Sequence, residues 1–261
     1  MAYAPFDLTG KVALVTGGNR GIGYGMAEAL AASNAHVAIW GRKDAANKEA
    51  VEALSKLGAG EVKAWSVDVS DEKAVVDAMK ATVDAFGRVD TCIANAGVGF
   101  GASSFAEMDT ETWNKNMAVN LDGAFWTLRE ATKHITERAK AGDPGGSLVG
   151  VASLAAIEGA ARNQAYAATK GGLISMLKGI AVETARYGIR ANAILPGWIA
   201  TDMTESAQNT EVFQTKVISR VPARRWGEPK DFGGVAVYLA SDASSYHSGD
   251  TFLIDGGYAI F

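Results

Sequence analysis

Three side chains near the middle of the chain could together move a proton on or off an oxygen atom. Ser153 precedes Tyr166 by thirteen residues, and Lys170 follows Tyr166 by four. Residues i and i+4 lie on the same face of a helix, so the phenol and the ammonium are neighbours if this segment is helical. A nearby cation lowers the pKa of a tyrosine from its usual value of about 10. A hydroxyl beside them would hydrogen-bond a carbonyl-level oxygen as charge develops on it.

A glycine-rich turn near the N-terminus predicts a nucleotide-binding element. The apolar run 11–16 is typical of a buried strand, and a helical pattern begins at Ile22. Between them, residues 17–23 read Gly-Gly-Asn-Arg-Gly-Ile-Gly. Glycines let the backbone approach a pyrophosphate closely, and a helix N-terminus offers free N–H groups. Strand, glycine turn and helix in this order are the context that a dinucleotide site requires.

Seven strand-like runs alternate with helical patterns along the chain. The strands are predicted at 11–16, 36–40, 62–67, 90–94, 147–152, 190–195 and 250–254. The helices are predicted at about 22–33, 44–57, 71–86, 110–140, 165–187 and 229–240. This alternation predicts an α/β fold, a doubly wound and mostly parallel seven-stranded sheet with helices on both faces.

The same patterns predict one domain over residues 1–261, because no linker rich in Pro, Ser or Gly divides the chain. Residues 198–228 interrupt the alternation with mixed polar and helical patterning. A long insert at such a place is typical of a substrate-binding element or lid, and a surface helix without function is the alternative.

The polar candidate positions fall where the predicted strands end. In chain order they are Thr16-Gly17, Gly41-Arg42, Asp68, Asn95, Ser153 and Pro196-Gly197. Ligands of an open parallel sheet bind beyond the carboxyl ends of its strands. We therefore expect these positions to form a single site.

Together, these motifs resemble the short-chain dehydrogenase/reductase family. The resemblance rests on Thr16–Gly23, Asn95–Gly97, Asn120, Ser153, Tyr166 with Lys170, and Pro196-Gly197, and it extends from Leu8 to Tyr258. It implies a Rossmann fold and an NAD(P)-dependent oxidoreductase. Such an enzyme interconverts a secondary alcohol and a ketone by hydride transfer, here with Tyr166 as the general acid and base.

The resemblance also implies a set of functional residues. Lys170 would hydrogen-bond the nicotinamide ribose, Asn120 would hold a water on a proton path, and Ile199 and Thr201 would contact the carboxamide. The catalytic set is Asn120, Ser153, Tyr166 and Lys170. The cofactor set adds Gly17, Asn19, Arg20, Gly21, Ile22, Gly23, Arg42, Asp68, Val69, Asn95, Ala96, Gly97, Pro196, Gly197, Ile199 and Thr201 to Tyr166 and Lys170.

Several of these residues have a plain structural alternative. Ser153 could cap a turn at a strand end, and Asn120 could bind the backbone. Tyr166 and Lys170 could be a half-buried phenol and a solvated ammonium. Asp68 matches the family position that binds the adenine amino group. It could equally be the N-cap of the helix near residue 71, a role for which Ser70 competes.

The choice of cofactor depends on the end of the second strand. A carboxylate there favours NAD, but the chain reads Gly41-Arg42-Lys43 with no carboxylate until Asp44. Arg42 can pair with a 2′-phosphate, and Arg20 is expected to point to the same region. NADP(H) is therefore favoured, NAD(H) is the second choice, and two merely solvated arginines are the alternative.

The substrate is a small carbonyl or alcohol compound whose identity these motifs leave open. Gln164, Trp198, Met203 and the segment up to Trp226 are the candidate wall, together with Ser153 and Tyr166. Residues 198–203 and 225–229 resemble relatives that act on sugar acids, polyols or 3-oxoacyl thioesters. A non-catalytic nucleotide-binding scaffold or sensor, and an epimerase or dehydratase on the same fold, are the competing functions.

The amino-acid composition limits the kinds of molecule that the protein is expected to bind. The net charge of −4 argues against nucleic acid or an anionic membrane, and no apolar run is long enough to span one. Cys92 is the only cysteine and residues 1–10 resemble no signal peptide, so a cytoplasmic location is expected. The three histidines lie far apart, so no metal is expected.

The segment that carries Tyr166 is apolar nearly all round. Its residues include Leu173, Ile174, Met176, Leu177 and Ile180. A helix packed only on a sheet has one polar face, so a second apolar face suggests that another subunit covers it. The family resemblance makes a homotetramer, a dimer of dimers, the expected assembly.

Overall fold

Seven parallel strands form the central sheet in the computed structural model, which describes residues 4–261. They are β1 Val12–Thr16, β2 His36–Gly41, β3 Val62–Ser66, β4 Thr91–Ala94, β5 Gly146–Val151, β6 Ile189–Pro196 and β7 Thr251–Ile254. Their order across the sheet is β3-β2-β1-β4-β5-β6-β7. Each predicted strand is confirmed with its ends within about one residue, a margin typical of such assignments.

Helices cover both faces of the sheet. They are α1 Gly21–Ala32, α2 Asp44–Leu54, α3 Glu72–Phe86, α4 Thr110–Met117, α5 Gly123–Lys140, α6 Ala155–Glu158, α7 Gln164–Thr184, α8 Glu205–Gln208, α9 Glu211–Lys216 and α10 Gly233–Ala240. Side chains of α1, α2 and α10 share one hydrophobic core, and those of α3, α5 and α7 share the other. Successive residues of a strand point into opposite cores. Leu14 packs in the core with α3, α5 and α7, and Val15 packs in the core with α1, α2 and α10.

The strand order places a switch point between β1 and β4. From β1 the chain moves outward to β2 and β3, then returns to β4 on the other side. Val15 is paired with Ile93, and Thr16 with Trp40, so the carboxyl ends of these strands are aligned at one edge. A crevice at this point is where an open α/β sheet binds ligands, as the positions of the polar residues predicted.

The predicted helix over 110–140 is wrong in its middle. A π-helical turn, Ala118–Asp122, separates α4 from α5. The reason is a long-range contact, since the amide of Asn120 holds the backbone of Val98 through two hydrogen bonds of 2.8 Å. Single π turns of this kind occur often at functional sites.

The insert 198–228 consists of short elements between β6 and α10. It contains α8, α9 and two 3-10 turns, and a bridge between Ile199 and Gly227 joins its two ends. None of the helices within residues 4–261 has the length and apolar character needed to cross a membrane.

Candidate active site

The glycine turn after β1 has the geometry that its sequence predicts. Gly17 and Gly21 have φ values of +63° and +54°, a region that favours glycine. The N–H of Gly17 donates to the carbonyl of Trp40 at 2.7 Å, which ties the turn to β2. A side chain on Gly23 would collide with the carbonyl of Gly17 and the amide of Asn95. Only glycine therefore fits at residue 23.

The N-terminus of α1 can receive a pyrophosphate. Arg20 is its N-cap, and no side chain among the described residues caps the first turn. The free N–H groups of this turn face the glycine loop and lie at the positive end of the helix dipole. The residues present therefore fit a dinucleotide. No cluster of His, Cys, Asp and Glu suited to a metal lies within residues 4–261.

Asn95 braces the sheet beside this turn. Its side-chain amide donates to the carbonyl of Thr16 at 2.9 Å. The hydroxyl of Thr16 accepts from the N–H groups of Asn95 and Ala96, each at 3.0 Å. These bonds join the ends of β1 and β4 and hold the switch point rigid.

The predicted Ser-Tyr-Lys set is assembled at the same edge. Ser153 follows β5, and Tyr166 and Lys170 lie one turn apart near the start of α7. The ammonium of Lys170 donates to the carbonyl of Val151 at 2.8 Å and lies 5.6 Å from the ring centroid of Tyr166. Lys170 is 4% exposed, which excludes a solvated lysine.

Ser153 has two partners, so both interpretations of this residue apply. Its side chain hydrogen-bonds that of Tyr166. Its hydroxyl also accepts from the N–H of Ala155 at 3.1 Å, which caps the turn leading into α6. The capping bond fixes the hydroxyl in front of the phenol.

Burial is the largest influence on the pKa values of Tyr166 and Lys170. It raises the pKa of Tyr166, and the hydrogen bond from Ser153 acts weakly in the opposite direction. It lowers the pKa of Lys170 to about 8. The expected lowering of the pKa of Tyr166 by Lys170 is therefore wrong in this structure, because desolvation is the largest cause of the shift and Lys170, whose ammonium donates to Val151, is not among the causes. The phenol holds its proton more tightly than a free tyrosine does.

Asn120 lies behind Lys170 on the π turn. Both ends of its amide bind Val98, which confirms backbone bonding, and it is 1% exposed. A β-carbon placed on Gly97 would lie 3.3 Å from Oδ1 of Asn120 and 3.5 Å from Nζ of Lys170. The two side chains therefore meet at Gly97, and the role of Asn120 in a water path stays a prediction.

The predicted adenine end of the site contains Arg42 and Asp68. A guanidinium nitrogen of Arg42 lies 3.9 Å from a carboxylate oxygen of Asp68, and both are half exposed. Asp68 accepts from the N–H and the hydroxyl of Ser70 at 3.0 and 2.7 Å. Although burial acts to raise it, these bonds and Arg42 lower the pKa of Asp68.

Two expectations about the adenine end are wrong: the N-cap of α3 and the direction of Arg20. The N-cap of α3 is Asp71, which accepts from two backbone N–H groups, so neither Asp68 nor Ser70 caps it. Arg20 donates to Asp202 at 2.9 Å, so it points to the insert rather than toward Arg42. Asn19 instead reaches the end of β2 by donating to Asn47 at 2.7 Å. Val69 is buried beside Asp68.

The insert meets the glycine turn through Thr201. The N–H of Gly197 donates to the carbonyl of Ile254 at 2.9 Å, which fixes the turn after Pro196, and Ile199 is buried. Thr201 begins a short 3-10 turn, and a β-carbon on Gly21 would lie 3.4 Å from its methyl group. The predicted pyrophosphate and carboxamide contacts thus lie side by side.

An aromatic cluster lies mainly in the segment that was predicted as the substrate wall. The ring of Trp198 lies 4.7 Å from Phe213 and 6.4 Å from both Trp226 and Tyr258, while Phe213 stacks on Trp226 at 5.2 Å. Phe213 lies within the segment that was predicted as candidate wall but was not singled out, and Tyr258 was missed. Met203 is 55% exposed and lies outside this cluster of rings.

Three buried polar atoms in the segments predicted as the substrate wall lack a hydrogen-bond partner among residues 4–261. They are Oδ1 of Asn163 and Oε1 of Gln164, at the start of α7, and Nε1 of Trp226, in the insert. Gln164 was predicted as a substrate residue, and Asn163 was not. A buried polar atom without a partner costs about 1–3 kcal/mol, so each of these atoms calls for a partner such as a water or a ligand.

A nucleotide turn beside a proton-transfer group is the combination that dinucleotide-dependent oxidoreductases use. The fold and the site define that class.

Comparisons with known proteins identify the family. A family model described as enoyl-(acyl carrier protein) reductase matches residues 17–259. An L-rhamnose 1-dehydrogenase (NAD(P)(+)) of Azotobacter vinelandii is 36% identical over 97% of this chain and 98% of its own. A 3-oxoacyl-(acyl-carrier-protein) reductase of Chlamydia pneumoniae is 34% identical over 96% and 97%.

A solved structure gives the same result. It is an Agrobacterium tumefaciens protein provisionally assigned as a 2-deoxy-D-gluconate 3-dehydrogenase, with bound NADP, and it is 34% identical. The TM-score is 0.90, over 99% of this chain and 100% of that one. The chain belongs to the short-chain dehydrogenase/reductase family. As a member it is an NAD(P)-dependent oxidoreductase of the alcohol–ketone class.

Proposed function

We propose that the protein interconverts a secondary alcohol and a ketone on a small polyhydroxylated substrate, a sugar or a sugar acid. The carrying observation is that buried polar atoms without partners occur in both segments predicted as the substrate wall, on Asn163 and Gln164 at the start of α7 and on Trp226 in the insert. Two carbonyl-type acceptors and one indole donor suit the hydroxyl groups of such a substrate. The rings of Trp198 and Phe213, which contact Trp226, offer an apolar surface to its C–H face.

In the proposed mechanism the chain supplies the proton and the orientation. Hydride transfer is the chemistry that a bound nicotinamide supplies. Tyr166 donates its phenolic proton to the ketone oxygen in reduction and accepts it in oxidation. Ser153 donates a hydrogen bond to the same oxygen, and Lys170 holds the ribose. Burial raises the pKa of Tyr166, so the phenol holds its proton tightly, and proton transfer requires the bound reactants to offset that rise.

The relatives support this class of substrate. The named substrates of the Azotobacter and Agrobacterium proteins are a sugar and a sugar acid. The Chlamydia relative acts on a thioester, so that class is the comparison that the test needs. We further propose that the insert 198–228 acts as the substrate lid, since it carries Trp198, Phe213 and Trp226.

The direct test is a panel of sugars, sugar acids, polyols and 3-oxoacyl thioesters. Turnover is followed by absorbance at the reduced nicotinamide band, with NADP(H) and with NAD(H). We expect sugars or sugar acids to give the highest kcat/KM. A clear preference for thioesters would reject the substrate proposal and leave the reaction class intact.

Removing the polar atom of Gln164 should affect the substrate alone. We expect Gln164→Leu to raise KM about five- to tenfold, the loss typical of one hydrogen bond, with the cofactor Kd unchanged. The control is Gln214→Leu, an exposed glutamine on α9, which should change neither constant. Equal KM values for the two variants would remove Gln164 from the substrate wall.

We propose that NADP(H) is the preferred cofactor. Arg42 is half exposed at the end of β2 and has only a 3.9 Å contact with Asp68, so its guanidinium can turn to a 2′-phosphate. Arg42→Gln should weaken NADPH binding about tenfold or more and NADH binding less than about twofold. Arg20→Gln, which loses its contact with Asp202 instead, should affect both cofactors equally. Fluorescence titration measures both, and equal losses in Arg42→Gln would contradict the assignment.

We propose a homotetramer, in the cytoplasm, that associates through the outer faces of α5 and α7. Phe125, Met176 and Ile180 line a shallow groove of about 390 Å³ between these helices, and Val182 is 83% exposed nearby. Light scattering at micromolar concentration should give four times the 27.2 kDa chain mass. Phe125→Glu should dissociate the assembly, because it buries a charge. Val212→Glu, at an exposed site on α9, should not, and a monomeric wild type would reject the proposal.

A further inference from the structure

A second cleft lies at the opposite edge of the sheet from the candidate active site. We name it the amino-edge cleft, since it lies where β4, β5 and β6 begin. Its volume is about 280 Å³, and its basic and hydroxyl side chains are Lys11, Arg88, Arg138, Ser147, Arg190 and Ser245. β5 spans six residues, so this edge lies roughly 17–20 Å from the catalytic edge.

The cleft is positively charged in a protein that is negative overall. Four cationic side chains line it, against the three carboxylates of Asp90, Asp143 and Asp242. Asp90 is fully engaged: it accepts a bidentate pair from Arg88 at 2.6–3.1 Å and lies 3.1 Å from Arg138. It also accepts from the N–H of Val12 at 2.9 Å. This carboxylate therefore has no capacity left to neutralise a further cation.

Arg190 is the cation that remains. Its guanidinium donates to the hydroxyl of Ser244 at 2.6 Å and to the carbonyl of Ser241 at 3.3 Å, which are both neutral. No carboxylate within residues 4–261 lies within the 4.0 Å of an ion pair with it. Burial lowers the pKa of Arg190, although Asp242 and Tyr238 act to raise it from beyond ion-pair distance.

Two further donors lack partners in the same cleft. Ser147 is paired with Arg190 in the register of β5 and β6, so their side chains lie on the same face of the sheet. Ser147 is 1% exposed, and its hydroxyl has no hydrogen-bond partner within the described residues. The same holds for Nε of Arg138, whose side chain is 12% exposed.

We propose that the amino-edge cleft binds a small tetrahedral oxyanion of the phosphate class. Arg190, Arg138 and Ser147 are supplied by β6, α5 and β5, so their donors approach from different directions. A tetrahedral group with four oxygens can accept from all of them, whereas a planar carboxylate suits a single guanidinium fork. The anion would give Arg190 the direct ion-pair partner that it lacks within 4.0 Å.

Calorimetric titration with inorganic phosphate tests this site at fixed ionic strength. Saturating NADPH is present throughout, so that phosphate groups of the cofactor already occupy the glycine turn. We expect one saturable site in the wild type. Arg190→Leu should weaken it at least about tenfold and Ser147→Ala several-fold, as expected for hydrogen bonds to a charged group. The matched control Arg186→Leu removes an exposed arginine four residues away and should bind as the wild type does.

The results distinguish the free phosphate ion from a phosphate monoester as the ligand, and they include results that overturn the proposal. Glycerol phosphate that binds as tightly as inorganic phosphate would identify a phosphate monoester as the ligand class, and weaker binding would identify the free ion. Acetate should bind at least about tenfold more weakly than either. Absent saturation in the wild type, or undiminished binding in both cleft variants, overturns the proposal. Ser147→Ala keeps the test valid if Arg190→Leu fails to fold.

Discussion

Tyr166→Phe should lower kcat by roughly 10³-fold, because it removes the proton that is transferred to the substrate oxygen in the proposed mechanism. Cofactor affinity should stay within about twofold, since Lys170 still donates to Val151 and the glycine turn is untouched. Steady-state rates and cofactor fluorescence titrations measure the two quantities separately. Tyr246→Phe removes an equivalent hydroxyl from a fully exposed tyrosine and is the matched control.

The same variant separates the competing functions. A scaffold or sensor would have no turnover in the wild type, so no rate could fall. An epimerase or dehydratase would act on its substrate without net production of reduced cofactor. Full redox turnover in Tyr166→Phe would reject the phenol as the proton donor while leaving the family assignment standing.

Gly23→Ala should impair both folding and cofactor binding. The new β-carbon would meet the carbonyl of Gly17 and the amide of Asn95, which are held by the turn and by the brace to Thr16. We expect the free energy of unfolding to fall by about 1–3 kcal/mol, as in other overpacked sites. The cofactor Kd should rise roughly a hundredfold, since a displacement of about 1 Å at such a turn is enough for that loss.

A second glycine provides the control for this prediction. Gly234 lies in the first turn of α10, and a β-carbon there would have no neighbour within 4 Å. Gly234→Ala should leave cofactor binding unchanged and stabilise the protein by up to about 1 kcal/mol. Denaturant unfolding and cofactor titration of the two variants give the comparison. Equal behaviour would show that the close approach at Gly23 is not what the turn requires.

The strands and the catalytic edge could be predicted because their signals are local. Each strand is a short apolar run between polar residues, and the polar residues that follow it define the carboxyl edge. Ser153, Tyr166 and Lys170 then meet because β5 and α7 are adjacent in any right-handed arrangement of this order. These inferences needed only the residues and the regular geometry of strands and helices.

The errors concern contacts between distant parts of the chain. The break at 118–122 follows from the bonds between Asn120 and Val98, which are 22 residues apart. The direction of Arg20 is set by Asp202, 182 residues away. The proton affinity of Tyr166 is set by burial, which depends on the whole packing. Local propensity carries none of this information.

The π turn lowers the stability of the helix and in return fixes the position of Asn120. A π turn replaces favourable i→i+4 bonds with wider ones, so 118–122 is a weak point within a 31-residue helical run. The two bonds from Asn120 to Val98 tie that weak point to the loop that follows β4. The extra residue lets α4 and α5 each keep their own buried face, with Asn116 turned to the Phe100 loop and Leu128 to the core. Substitutions that regularise this helix would thus be expected to stabilise the isolated segment while moving Asn120 away from Lys170.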